Sequence, residues 1–177
     1  MKINKKLIIF VEGADGVGKS TICKKLSYGL KLPVVKMLKA KVFFKKNVVE
    51  EFSYVFNNTL LQLKDLNYIV DRGPLSSLIY SQIYKRKSEL AYIYPLLKEM
   101  NPLVVYLTSS SASVLLDRRK KDKVIAPVDR FKVWQGYEDF FKTQQLVNVC
   151  RIDTKNKNPQ QVYDEIVTYL KNNKYIE

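Results

Sequence analysis

The stretch "EGADGVGKST", residues 12–21, gathers Gly13, Gly16 and Gly18, three of the chain's six glycines, and then runs into a lysine and two hydroxyls. Its pattern is Gly13-x-x-x-x-Gly18-Lys19-Ser20. Residues of these types at this spacing can hold a polyphosphate. Glycines let the backbone turn tightly and leave no Cβ between the amide groups and phosphate oxygens. A helix starting at the end of the loop adds unpaired N–H donors and partial positive charge. Lys19 can reach the β- and γ-phosphates, and the Ser20 hydroxyl can ligate Mg²⁺. The spacing predicts a nucleoside triphosphate site formed by Gly13, Asp15, Gly16, Val17, Gly18, Lys19, Ser20 and Thr21.

A second chemically suggestive stretch is "DRGPLSSLIYSQ", residues 71–82. Asp71 can hold Mg²⁺ through water, beside Ser20, or accept a proton from an attacking oxygen. Arg72 supplies a planar fork suited to an anionic group. Alone, such a pair reads equally as a surface ion pair at a helix start. Behind a strand in a chain that also carries the phosphate loop, it reads as part of one site. The basic run "RRKKDK", residues 118–123, is of a kind that is usually a solvated face. Phe52, Tyr54, Phe56 and Tyr80 could stack on a base, although aromatics at helical spacing are as often core.

These residues need elements to hold them. Residues 7–11 form an apolar run rich in β-branched side chains, which suits a buried strand ending at the glycine loop. Ile22, Leu26 and Leu30 then recur every four residues, on one face of a helix. A short strand is expected at 33–36 and a helix over 48–66, with Phe52, Phe56, Leu60 and Leu63 along one face. Another strand, 68–70, leads into Asp71-Arg72, followed by two helices in "SSLIYSQIYK" and "SELAYIYPLLKEM". "PLVVYLTSS" reads as a strand whose serines can cap the helix "ASVLLDRRKK". A helix from Pro127 is expected to place Phe131, Trp134 and Phe141 in the core. "LVNVCRI" gives a last strand, and a final helix covers about 159–170. Strands alternating with helices predict an α/β fold with a five-stranded parallel sheet covered by helices on both faces. Ligands bind such sheets outside the carboxyl ends of the strands. Glu12, Asp71, Arg72, Thr108 and Asp153 all fall there.

At 177 residues the chain suits one domain, 1–177. No apolar run approaches the ~20 residues that cross a bilayer, so no membrane partner is expected. The basic-then-apolar N-terminus leads straight into the phosphate loop and reads as a strand, not a signal peptide. Cys23 and Cys150 are too few and too far apart for a disulfide framework or a zinc site. The absence of histidine excludes His-based metal sites and histidine acid–base catalysis. These features describe a cytoplasmic protein. The net charge of +14 raises the question of nucleic acid, but the lysines are spread along the whole chain, as on a solvated surface. An anionic substrate accounts for part of the excess.

The motifs together resemble the thymidylate kinases, within the wider P-loop nucleoside and nucleotide kinases. "EGADGVGKST" is similar to the family's phosphate loop. Asp71, Arg72, Ser76 or Ser77, and Tyr80 resemble its DR stretch. The run from Arg118 occupies the place of its basic lid, about 118–127, and Asp129-Arg130-Phe131 with Tyr137 resembles a further family motif. "IDTKNKNPQQVYDEI" resembles the loop and helix that line the adenine of ATP, which implicates Asp153 and Thr154. The resemblance implies a three-layer P-loop fold, ATP as donor, Mg²⁺, and a homodimer. It implies that Asp15 contacts the acceptor sugar, and that Glu12, Phe52, Phe56, Arg72 and Tyr80 surround the acceptor. With no arginine after Asp15, Arg118 or Arg119 would stabilise the transferring phosphoryl group. Three features depart from the family: "KMLKAKVFF" follows the second strand, no arginine occurs between residues 40 and 71, and Gly73-Pro74 replaces a tyrosine. The expected activity is ATP-dependent phosphorylation of a deoxynucleoside monophosphate, dTMP to dTDP. The alternatives are a deoxynucleoside kinase of the same fold, with Glu12 or Asp71 as base, and a non-catalytic nucleotide-binding or nucleic-acid-associated protein.

Overall fold

The apolar run before the glycine loop becomes β1, Ile8–Glu12, and every one of its residues is buried. The computed structural model describes residues 1–36, 46–85, 90–111, 127–143 and 148–177, without the side chains of 46–53, 90–92 and 127–128. The expected helix in 112–121 and the basic lid at 118–127, Arg118 and Arg119 included, lie outside the described residues or at their edge.

Five strands form one sheet in the order β2-β3-β1-β4-β5: β2 is Val34–Lys36, β3 Tyr68–Asp71, β4 Leu103–Thr108 and β5 Val149–Asp153. All four pairings are parallel. β1, β3 and β4 are buried throughout, which explains why they read as unbroken apolar runs and not as alternation. β2, at an edge, is short and largely exposed.

The helices are α1 Lys19–Leu30, α2 Lys46–Gln62, α3 Pro74–Ile83, α4 Leu90–Met100, α5 Pro127–Thr143 and α6 Pro159–Asn172. α1 packs on β1, β3 and α6, while α3 packs on α2, α4 and α5. This is the α/β architecture expected, with a parallel five-stranded sheet. α2 stops before the end of the expected 48–66 helix; Leu63, Lys64 and Leu66 instead donate backbone hydrogen bonds to carbonyls three or four residues back, in turns. The capping box at α6 explains its sharp start. The Asn158 side chain accepts from Gln160 N and Gln161 N, and Asn158 N donates back to Gln161 Oε1.

One core expectation fails. Phe131 is 48% exposed, whereas Trp134 and Phe141 are partly buried against the core. The inner face of α5 is set by Arg130, Val133, Tyr137 and Phe140, all buried. Position 131 lies on the far side of that stripe. Both cysteines are unpaired and buried, and burial pushes their thiols up to about 12, leaving them protonated and unreactive. Among the described residues, no helix is long and apolar enough to cross a membrane.

Candidate active site

The carboxyl ends of β1, β3 and β4 come together through their registers: Val11 lies beside Asp71, and Glu12 beside Tyr106. The glycine loop leaves β1 at this edge. Gly13 has φ of 135°, and a Cβ there would stand 2.1 Å from the Leu107 carbonyl oxygen, so only glycine lets the loop pass β4. Gly16 and Gly18 also have positive φ, 93° and 91°, and Gly18 is the N-cap of α1. The loop thus delivers its amides to the start of α1, as the spacing predicts. Ser20 and Thr21 stand exposed in the first turn.

Lys19 is only 5% exposed and curls back over the loop, donating to the carbonyls of Gly13 at 2.7 Å and Ala14 at 2.6 Å. Burial, followed by the charge of Arg72, pushes its ammonium down to about 7 against the opposing pull of Asp15, Glu12 and Asp71.

Beside it, Ser20 Oγ donates to Asp71 Oδ2 at 2.7 Å, and Lys36 Nζ reaches the same oxygen at 3.2 Å. The other carboxylate oxygen, Oδ1, is buried and accepts no hydrogen bond among the described residues. A hydroxyl bonded to a carboxylate with one unsatisfied buried oxygen fits a small divalent cation. Among the described residues no cluster of three or more His, Cys, Asp or Glu gathers. Mg²⁺ binds one or two protein groups and takes its remaining ligands from water and phosphates.

A second constellation lies on the β3 side. Arg72 Nη2 is paired with Asp15 Oδ1, its Nη1 donates to the Tyr80 hydroxyl at 3.2 Å, and that hydroxyl donates to Asp15 Oδ2 at 3.2 Å. Arg72 has φ of 74°, a left-handed conformation that costs a non-glycine residue on the order of 1–2 kcal/mol. The strained turn aims the guanidinium back over the loop and not along the strand. Asp15, whose side chain is 3% exposed, also stands 3.9 Å from Lys19 Nζ, so one carboxylate joins the two cations. The structure therefore brings Asp15, Lys19, Ser20, Asp71, Arg72 and Tyr80 into one place.

Glu12 stands differently. It has no exposed surface; Ser76 Oγ donates to its Oε2 at 2.6 Å and the Tyr137 hydroxyl at 3.0 Å. Gly73 leaves room here, because a Cβ would approach Glu12 Oε1 and Phe10 to 3.0 Å. Burial raises the Glu12 carboxyl, while Ser76, Tyr137 and Lys19 oppose the rise. Held in this way, Glu12 ties β1 to α3 and α5.

Phe56 is buried at 9% exposure, and the side chain of Phe52 lies outside the described residues. Asp153 closes β5 and accepts from Lys155 N at 2.8 Å and Ser110 N at 3.2 Å. Thr154 is buried, and both its N–H and its hydroxyl donate to Thr108 O at 2.9 Å. These bonds fold the loop after β5 against the end of β4.

Sequence reasoning missed two groups. Glu138 accepts from Tyr106 and Thr108 at 2.6 Å and pairs with Arg151 at 2.7 Å, tying α5 to β4 and β5. Burial works against its charge, but those three partners outweigh it and hold the carboxyl below its ordinary value. Nothing in a mid-helix glutamate signals this. Lys36 is the other; its signal was its place at the end of an edge strand.

No family model matches the chain. No curated protein sequence matches it significantly. Solved structures do match in fold. The YorR protein from Bacillus subtilis, crystallised in complex with phosphorylated GDP, is 22% identical with a TM-score of 0.71, over 94% of this chain and 98% of that one. Deoxyadenosine kinase from M. mycoides with bound dATP is 21% identical with a TM-score of 0.68, over 93% and 100%. Shikimate kinase from Acinetobacter baumannii in complex with shikimate is 18% identical with a TM-score of 0.69, over 96% of each chain. The chain therefore has the fold of the P-loop kinases.

Proposed function

We propose that this protein transfers the γ-phosphoryl group of ATP to a deoxynucleoside monophosphate, with dTMP as the acceptor. The observation that carries this reading is the complete phosphate loop, with a buried Lys19 and a Ser20–Asp71 pair, faced across Asp15 by an arginine. Catalysis in such a site is positioning and charge stabilisation. Lys19 leaves the carbonyls of Gly13 and Ala14 and meets the β- and γ-phosphates. The loop amides and the α1 N-terminus hold the same oxygens. Ser20 and Asp71 would hold Mg²⁺, which supplies charge neutralisation across the phosphates. Arg72 addresses the acceptor. Arg118 or Arg119 completes the clamp from the basic lid.

The choice of a monophosphate rests on the carboxylates. A hydroxyl acceptor benefits from a base, whereas a phosphate oxygen already carries negative charge. Glu12 is sealed, Asp15 is tied to Arg72, and Asp71 is engaged by Ser20 and Lys36. The chain has no histidine and no acidic residue between Asp15 and Glu50. A deoxynucleoside kinase is the second reading, favoured by the pairing of Arg72 with Asp15, which leaves that arginine neutralised. The two separate in a transfer assay with labelled ATP across deoxynucleosides and their monophosphates. dTMP is expected to exceed thymidine at least about tenfold in kcat/KM, and Lys19→Ala to abolish turnover without unfolding the protein. Preference for a nucleoside would replace the first reading by the second. Full activity of Lys19→Ala would remove the loop from the reaction.

A further inference from the structure

Among the described residues, charge on the acceptor side of the loop nearly cancels in pairs, and this poses a problem for an anionic acceptor. Arg72 is matched by Asp15. Asp71 is matched by Lys36, at 3.2 Å. No arginine occurs between residues 40 and 71 to supply another fork. A site that selects a phosphate needs a cation that is not already spent on a neighbour.

Lys36 can become one. It ends β2 directly beside Asp71 in register, at the carboxyl edge of the sheet, on the side of β3 away from the donor loop. Its side chain is 51% exposed while its carboxylate partner is 3% exposed, so a half-exposed lysine meets a buried oxygen. It shares Asp71 Oδ2 with Ser20, and these are the two groups that fit a divalent cation. Two cations within about 4 Å of one carboxylate repel, and the more mobile gives way. A lysine is a point charge on a flexible four-carbon stem and can turn to a new partner.

We propose that Lys36 is a specificity-determining residue for the acceptor's phosphate. It neutralises Asp71 in the ligand-free protein and turns to the phosphate of a nucleoside monophosphate when Asp71 takes up a metal ion. Acceptor recognition is thereby tied to metal: a monophosphate binds well only once the metal-bound donor is in place, and a nucleoside is indifferent. This rests on the monophosphate reading above.

The test is calorimetric titration of dTMP and of thymidine into wild type, Lys36→Met and Lys36→Arg, with and without Mg²⁺ and a non-hydrolysable ATP analogue. Circular dichroism melting checks that each variant is folded, and Lys36→Gln substitutes if the methionine variant is not. In wild type the Mg²⁺-loaded analogue should strengthen dTMP binding at least about tenfold. Lys36→Met should lose that gain, Lys36→Arg should keep most of it, and thymidine binding should not change. If Lys36→Met keeps the gain, or weakens thymidine and dTMP alike, the inference fails while the monophosphate reading stands. If wild type binds and phosphorylates thymidine and not dTMP, both fail.

Discussion

Lys19 carries the plainest residue-scale consequence of burial. Held over its own loop with its ammonium pushed down to about 7, it is largely neutral in the ligand-free protein at pH 8. Triphosphate oxygens within hydrogen-bond reach favour the charged form and raise its pKa again. Binding of the magnesium complex of ATP at pH 8 should then take up a proton, the uptake growing as pH rises from 7 and fading as it nears the ordinary lysine range. Calorimetry in buffers of different ionisation enthalpy reads this directly. About one proton is expected for wild type and none for Lys19→Met. Zero uptake by wild type would show that Lys19 is charged before the ligand arrives. Arg72 has the opposite character: its charge is permanent, so its role is set by the strained turn that aims it. Arg72→Ala should cost at least about 2 kcal/mol in kcat/KM with the acceptor and little in affinity for ATP.

At the scale of elements, the turn into α1 and the start of α6 are held by different physics. The first depends on absent side chains. Gly13→Ala places a methyl against the Leu107 carbonyl, part of β4 backbone that cannot move without breaking the sheet, whereas a Cβ at Gly18 meets nothing within 4 Å. Both positions have positive φ, so both substitutions strain the chain by about 1–2 kcal/mol. The overlap is extra at Gly13. Urea unfolding should therefore find Gly13→Ala less stable than Gly18→Ala by a further ~1–3 kcal/mol; equal losses would mean that the loop can lift off β4. The start of α6 depends on a side chain that is present. Asn158→Ala removes the acceptor for two helix N–H groups and should cost about 1 kcal/mol by the same measurement, with Asn158→Ser recovering most of it.

For the whole molecule, charge is the dominant long-range quantity. A net charge of +14 on 177 residues repels itself in the folded state more than in the expanded one. The carboxylates of the pairs Arg72–Asp15 and Lys36–Asp71 are buried, while most lysines among the described residues stand exposed. Raising sodium chloride from about 20 mM to about 300 mM should then raise the melting temperature by about 2 °C or more. A fall would show that surface ion pairs outweigh the net repulsion. The same positive field favours the approach of anionic substrates, so the on-rate for a nucleotide should drop over that range as stability rises.

What could be read from the amino-acid order alone was local. The strand–loop–helix unit of residues 8–30 is written in consecutive positions: an apolar run, glycines where φ is positive, and Ile22, Leu26 and Leu30 at helical spacing. The order of strands and helices, the parallel sheet and the Asp71-Arg72 turn followed from the same short-range chemistry. What only the tertiary structure decided is which polar groups share a partner. Tyr137 and Glu138 are neighbours in one helix, yet one reaches Glu12 at the end of β1 and the other Tyr106, Thr108 and Arg151. Phe131, aromatic like the core residues around it, faces outward. Lys36 meets Asp71, 35 positions away in the chain, because β2 and β3 align in register. Helical periodicity names a stripe but not the residue that each side chain will touch. That is settled by strand register and by helix rotation, which depend on the packing of all elements at once.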